Sequence, residues 1–169
     1  MKGNALRLLD KLPFLTPRRR FELYPPFWLM RIKVLEWDEH WDRARILLPL
    51  TWISANQGGS MFGGFQACLA DPVPALACAG NFPGYRMMTK SLKLDFIRPG
   101  NSDLTLHFDF DPKQKQAIAE ELKLSGRADP VFEMAYYRED GEKCTLIWNT
   151  VAIRKPEYLE KKLQKAVSR

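Results

Sequence analysis

The reading of this chain turns on the stretch Asn56-Gln57-Gly58-Gly59-Ser60-Met61-Phe62-Gly63-Gly64-Phe65-Gln66-Ala67-Cys68-Leu69-Ala70-Asp71-Pro72-Val73-Pro74-Ala75-Leu76-Ala77-Cys78-Ala79. The paired glycines at 58 and 59 mark a loop. From Ser60 onward Phe62, Phe65, Leu69, Leu76 and Ala77 fall on one face at helical spacing, which predicts a helix over residues 60–82. Its second half is made mostly of small apolar residues, as expected of a helix covered on most sides. Gln66, Asp71, Pro72 and Pro74 interrupt the segment, so it does not supply the roughly 18–20 apolar residues of a membrane span.

Outward from this helix the periodicity changes to two. Residues 28–37 and 42–50 are rich in β-branched, aromatic and alternating residues and predict two strands joined by the polar turn Asp38-Glu39-His40. Downstream, residues 87–97 and 104–110 alternate on either side of Arg98-Pro99-Gly100. A charged helical insert is predicted over 113–124. Residues 131–137 and 144–153 then flank Glu139-Asp140-Gly141-Glu142, an Asp-Gly hairpin signal. The ends read as helices: 4–12, capped by Asn4 and stopped by Pro13, a second short one ending at Pro25-Pro26, and 156–169 with Leu159, Leu163 and Val167 on one face. The chain therefore divides into an N-terminal helical arm (1–26), a main domain (27–155) and a C-terminal basic helix (156–169). An antiparallel sheet of about five to six strands wrapped around one long central helix makes the domain α+β.

The 169 residues fit one domain, and 46% hydrophobic with 27% charged residues excludes a disordered or low-complexity chain. No signal-peptide pattern opens the sequence, and Cys68, Cys78 and Cys144 form no C-x-x-C pair, so a cytoplasmic protein with buried free thiols is expected. The formal charge of +6 is concentrated at the two ends, in Arg18-Arg19-Arg20 and in Lys161, Lys162, Lys165 and Arg169. These read as solvated basic surface able to attract acidic groups, such as coenzyme A phosphates or lipid headgroups, and no nucleic-acid-binding motif accompanies them. Trp28, Trp37, Trp41 and Trp52 read as packing residues. His40 and His107 lie in a turn and a strand, which argues against a Ser-His-Asp triad or a histidine metal site. Asp109 and Asp111 alternate with Phe108 and Phe110 and read as surface.

Polar residues are scarce in the central helix, so Asp71 stands out. A carboxylate in such a stretch is paired, shifted in pKa or exposed at an interface. Pro72 and Pro74 lack backbone N–H groups, so the carbonyls of Cys68 and Ala70 lose their helical partners and the helix should loosen beside Asp71. Gly63-Gly64 lies near the helix start, where free N–H groups can stabilise an oxyanion. Eight residues of helix, about 12 Å at ~1.5 Å per residue, separate Gly63 from Asp71. Both can act on one carbonyl only if they come from different subunits. For each the bland reading also stands: Asp71 as a cap at a kink, the glycines as a close-packing site, Asn56 as a loop-fixing side chain, Thr89 as an ordinary strand residue.

Asn56…Phe62-Gly63-Gly64…Leu69-Ala70-Asp71 resembles the Asn…His-Gly-Gly…Leu-Ala-Asp motif of hotdog-fold acyl-CoA thioesterases of the phenylacetate-pathway (PaaI-like) type. Leu94-Asp95-Phe96-Ile97-Arg98-Pro99-Gly100 resembles that family's strand motif ending in Arg-Pro-Gly. The resemblance covers about residues 27–154 and is closest to an uncharacterised thioesterase-like branch with Phe-Gly-Gly, Ala-Asp-Pro and a helical insert. It implies a hotdog fold and hydrolysis of an acyl-CoA or related acyl thioester at the boundary of a homodimer or dimer of dimers, with no metal or other cofactor. It makes Asp71 the general base or nucleophile, Gly63 the donor to the thioester oxygen and Asn56 an orienting polar group, with Phe62, Gly64 and Thr89 contacting substrate; Thr89 falls where some members carry a water-binding serine. Phe62 departs from the pattern, since it stands at the usual histidine position. That substitution keeps a second expectation open, a hotdog protein that binds an acyl or lipid-like ligand without cleaving it.

Overall fold

A computed structural model describes Leu12 and residues 14–156. The expected helices over 4–12 and 156–169 lie outside the described residues, apart from their inner ends. Two short helices precede the sheet, α1 (Pro17–Glu22) and α2 (Pro25–Leu29). The second corrects the expected strand start at residue 28: Pro25 and Pro26 open a helical turn, where fixed φ and missing N–H groups carry no penalty. The first strand begins only at Lys33.

These helices do not stand apart from the sheet. Phe21 and Phe27 are buried in the common core, and the Phe21 ring lies 5.8 Å from Trp37 and 5.1 Å from Trp41. Buried Glu22 accepts the Val34 N–H at 2.9 Å and pairs with Arg19 at 2.9 Å, tying α1 to the first strand. Of the four tryptophans expected to pack, Trp37 and Trp41 do, whereas Trp28 and Trp52 are exposed.

The sheet comprises β1 (Lys33–Trp37), β2 (Arg43–Leu48), β3 (Arg86–Phe96), β4 (Leu104–Asp109), β5 (Arg127–Ala128), β6 (Val131–Arg138) and β7 (Lys143–Arg154). The order is β1-β2-β4-β6-β7-β3, every pairing is antiparallel, and the two-residue β5 adds to β7. Seven strands thus replace the expected five to six, the extra one being β5, too short to leave a periodic signal. Alternation puts Ala44, Ile46 and Leu48 of β2 and Leu104, Leu106 and Phe108 of β4 on the buried face. The β6–β7 turn is a variation on the expected one. Only Gly141 takes a positive φ, 81°, and the Gly141 and Arg138 N–H groups bond Arg138 O and Glu142 O, a three-residue loop rather than a two-residue one.

The sheet curls over α3 (Gly63–Ala70) and α4 (Pro72–Asn81). The single helix expected over 60–82 is thus two segments meeting at Asp71. Its backbone stays helical (φ −56°, ψ −54°), so the axis continues while Pro72 and Pro74 interrupt the hydrogen-bond ladder. Leu69, Ala70, Val73, Ala77 and Cys78 are fully buried against the sheet. The insert is α5 (Pro112–Ser125), capped by the Asp111 carboxylate, which accepts from the Lys113 and Gln114 N–H groups, and closed by Gly126 at φ 70°. Asp111 is therefore a cap, and Asp109 is a surface group paired with Arg43 and Arg45. Among the described residues no helix is long and apolar enough to cross a membrane.

Candidate functional site

Phe62 caps α3 with an extended backbone and no side-chain hydrogen bond. The Phe65 and Gln66 N–H groups fold back onto Phe62 O at 3.0 and 3.3 Å. Those of Gly63 and Gly64 meet no acceptor among the described residues, so the positive end of the helix is left with two free donors. Two long-range main-chain bonds fix this end: Phe62 N–H to Ser54 O at 2.7 Å, and Met61 N–H to Gly100 O at 2.8 Å. Loop 54–62 is thereby stitched to the Arg-Pro-Gly turn after β3. The space between is a cavity of about 440 Å³ lined by Asn56, Ser60, Gly63, Gln66, Phe96 and Arg98 together with neighbouring backbone.

The glycines have a steric reason to be there. A Cβ on Gly63 would lie 2.8 Å from the Phe96 ring, and one on Gly64 would strike the Phe62 ring. Gly63 thus meets the expectation of close packing of helix on sheet, whereas the neighbour of Gly64 is the exposed ring of the preceding cap residue. Phe96, 57% exposed, and Ile97 put apolar surface on the cavity wall, whereas Phe62, 51% exposed, stands outside the lining. Asn56 turns its Oδ1 inward to accept from the Gly58 and Ser60 N–H groups at 2.9 and 3.1 Å, which fixes the loop. Only its amide N–H groups remain to face the cavity. Arg98 stands at the rim, holding Lys143 O at 3.0 Å and lying 3.6 Å from Glu142.

Asp71 and Thr89 are brought together elsewhere. Neither lines the cavity. The Thr89 hydroxyl donates to the main-chain O of Asp71 at 3.0 Å, and the Asn149 amide donates to the same oxygen at 2.9 Å and to Ala70 O at 3.4 Å. Ala70 O is one of the two carbonyls whose helical partner a proline removes, so Asn149 supplies the donor the helix lacks there, while Thr89 and Asn149 together tie Asp71 O to two strands. Thr89 adjoins a bulge at Lys90, where the β3–β7 register shifts. Asp71 itself is exposed, with its main chain anchored from two sides and its side chain at the surface. Within one chain, then, Asn56 and Gly63 share a cavity while Asp71 and Thr89 occupy the far end of α3.

Cys68, one turn before Asp71, is exposed, which corrects the expectation that all three thiols are buried. Its thiol is pushed up, first by desolvation and then by the Asp71 carboxylate, so it is held as the poorly nucleophilic thiol. Burial pushes Cys78 up to about 12. No group of three or more His, Cys, Asp or Glu side chains among the described residues has a metal-binding arrangement.

Sequence reasoning passed over Gln66 and Asn149. Gln66 is only 2% exposed and Asn149 is fully buried. The signal for Gln66 was present, since it is the one polar side chain between Gly63 and Ala70, the same scarcity that singled out Asp71. Asn149 lies in an alternating strand among Trp148 and Thr150, where nothing local marks it.

The structure is similar to several solved ones at low identity. A Pseudomonas aeruginosa protein of unknown function, described as a probable thioesterase, aligns with a TM-score of 0.68 at 19% identity, over 76% of this chain and 85% of that one. A Haemophilus influenzae thioesterase aligns at 0.61 and 14%, covering 83% and 92%. The Escherichia coli PaaI protein from the phenylacetic acid degradation operon aligns at 0.55 and 19%, covering 79% and 86%. These likenesses confirm the hotdog fold. Among curated proteins no sequence match is found. The DUF4442 family, described as a domain of unknown function, matches residues 18–152, and the chain belongs to that family.

Proposed function

We propose that this protein hydrolyses an acyl-CoA or related acyl thioester at sites shared between two copies of the chain. The observation that carries the reading is the division of α3: free Gly63 and Gly64 donors beside a cavity at one end, and an exposed, backbone-anchored carboxylate at the other. About 12 Å of helix separates them at ~1.5 Å per residue, so an antiparallel second copy is needed to set Asp71 opposite Gly63. The sheet supports such a pairing, because β3 ends the strand order, its eleven-residue outer edge has no partner among the described residues, and Met88 on it is 65% exposed.

In this reading the acyl carbonyl oxygen accepts from the Gly63 N–H, and Asp71 of the second copy takes a proton from the attacking water. The water oxygen bonds to the acyl carbon, and the carbonyl electron pair moves onto its oxygen. Collapse then breaks the C–S bond, and the leaving sulfur takes back the proton held by Asp71, giving the carboxylic acid and the free thiol. The apolar lining of Phe96, Ile97 and Met61 suits an acyl chain, and Arg98 suits a carrier phosphate. Thr89 and Asn149 serve by fixing the Asp71 backbone.

A non-hydrolytic acyl-binding protein is the second reading, favoured by one observation: Phe62 packs its ring beside Phe65, centroids 5.9 Å apart, and brings no polar atom to the helix end. Thiol release from short, long and aromatic acyl-CoAs, measured beside Asp71→Asn, separates the two. Release lost in the variant, with fold and dimer intact, is expected. Release unchanged in the variant removes Asp71 from the mechanism. No release from the wild type, with saturable heat protection by an acyl ligand, establishes the binding protein instead.

A further inference from the structure

Gln66 is a buried amide with both of its side-chain donors unspent among the described residues. Its Oε1 accepts from the Thr145 hydroxyl at 2.6 Å. Its main-chain carbonyl accepts from the hydroxyl of fully buried Tyr136 at 2.8 Å, so both backbone and side chain are held. With Oε1 turned to Thr145, the two Nε2 donors point away from it. They have no partner among the described residues, yet Gln66 lines the cavity that contains Gly63. Side chains on a helix lean toward its N-terminus and cover the preceding turn, so the amide of residue 66 reaches back over the turn begun by Gly63. An amide donor placed there is satisfied only by what fills the cavity.

We propose that the Gln66 side-chain amide is a second donor, beside the Gly63 N–H, to the acyl carbonyl oxygen bound in this cavity. The proposal rests on the thioester reading above for its chemistry. It gives the helix end the side-chain donor that Phe62 cannot supply. As water adds to the acyl carbon, the carbonyl electron pair becomes a negative charge on oxygen. Two N–H groups fixed in advance in a site walled by Phe96 and Met61 stabilise that charge more than the neutral carbonyl. Thr145 and Tyr136 are positioning residues, since they orient Gln66 without meeting substrate.

The test uses Gln66→Met, which keeps length and removes the donors, and Gln66→Glu, which also keeps an acceptor for Thr145. Loss of one oxyanion donor is expected to lower kcat by about 10²–10³-fold, with KM changed by less than about threefold. Binding of a non-hydrolysable S-alkyl-CoA, which has no carbonyl, should be unchanged, whereas an S-(2-oxoalkyl)-CoA should lose its tighter binding in both variants. That second comparison needs no turnover, so it judges Gln66 even if the wild type cleaves no acyl-CoA and the hydrolytic reading fails. Equal loss of S-alkyl and S-(2-oxoalkyl) binding would show a merely structural role and overturn the proposal. So would an unchanged preference for the oxo ligand in both variants, which would mean that water alone occupies the Nε2 donors.

Discussion

Replacing Asn149 by Asp should make the stability of this protein fall as pH rises, opposite to the usual behaviour of a paired carboxylate. Asn149 is fully buried, its amide donates to Asp71 O at 2.9 Å and Ala70 O at 3.4 Å, and its own Oδ1 has no partner. A carboxylate in its place would set one oxygen against two carbonyl oxygens and leave the other unpaired, with no cation among its hydrogen-bond partners. Burial and those carbonyls both disfavour the ionised form, so the folded-state pKa rises above the unfolded value of about 3.9. The native state then binds more protons than the unfolded state. Its stability is fully present below pH ~4 and is lost as pH climbs toward the folded pKa. At about 1.4 kcal/mol per unit, a carboxyl that stays protonated to pH 7 loses about 4 kcal/mol relative to pH 4. Urea denaturation of wild type and Asn149→Asp at pH 4, 5, 6 and 7, with slopes checked for constancy, measures the difference directly. Asn149→Leu is the control. It orphans Ala70 O but also removes the unpaired Oδ1, while Asp71 O keeps Thr89, so it should cost only about 0–2 kcal/mol at every pH. A gap between Asn149→Asp and wild type that stays flat with pH, or widens toward pH 4, would refute the account of how the helix break is satisfied.

Contacts elsewhere in the molecule set two more expected outcomes. Gly80→Ala should lower stability by about 1–3 kcal/mol, because its Cβ would lie 2.9 Å from the main-chain O of His40, and backbone cannot swing aside; thermal denaturation reads this directly. Native-state alkylation at pH 8 should leave Cys78 and Cys144 unmodified, since burial holds both thiols protonated, with Cys78 up at about 12; peptide mass analysis showing modification of either one in the folded protein would contradict the packing described.

The features legible in the sequence were local ones. The charged insert that forms α5, the alternation through β4 and β7 and the Gly141 turn each sit within a few residues, and each produces its element by short-range physics. The Asp111 cap, read as strand surface, was missed because its alternation with Phe110 continues that of β4. The α2 helix was hidden because Pro25-Pro26 reads equally as the stop of the helix before it and as the start of the helix after it. The cavity was hidden for a different reason. It is made where loop 54–62 meets the Arg98–Gly100 turn, through the Met61-to-Gly100 bond, and no periodicity in either segment announces the other. Asp71 was legible as a polar residue in apolar surroundings, whereas the group that anchors its backbone is a strand asparagine 78 residues away.

That anchoring explains why the prolines are tolerated beside a residue whose placement matters. A proline inside a helix costs about 3 kcal/mol or more, chiefly through a lost hydrogen bond and a ring clash. Here the ladder is interrupted where the helix lies against β3 and β7: Ala70 O, deprived of its partner by Pro74, takes a donor from Asn149, and the next carbonyl, Asp71 O, takes donors from Asn149 and Thr89. The interruption thus adjoins an attachment of helix to sheet at Asp71, whose side chain lies at the surface. An uninterrupted ladder would have satisfied Ala70 O within the helix. On this view the Asn149 donor and Pro74 act as one unit through Ala70 O. Restoring N–H groups with Pro74→Ala should therefore make Asn149→Leu less costly than it is in the parent, a coupling that a double-mutant cycle would detect as non-additivity of about 0.5–3 kcal/mol.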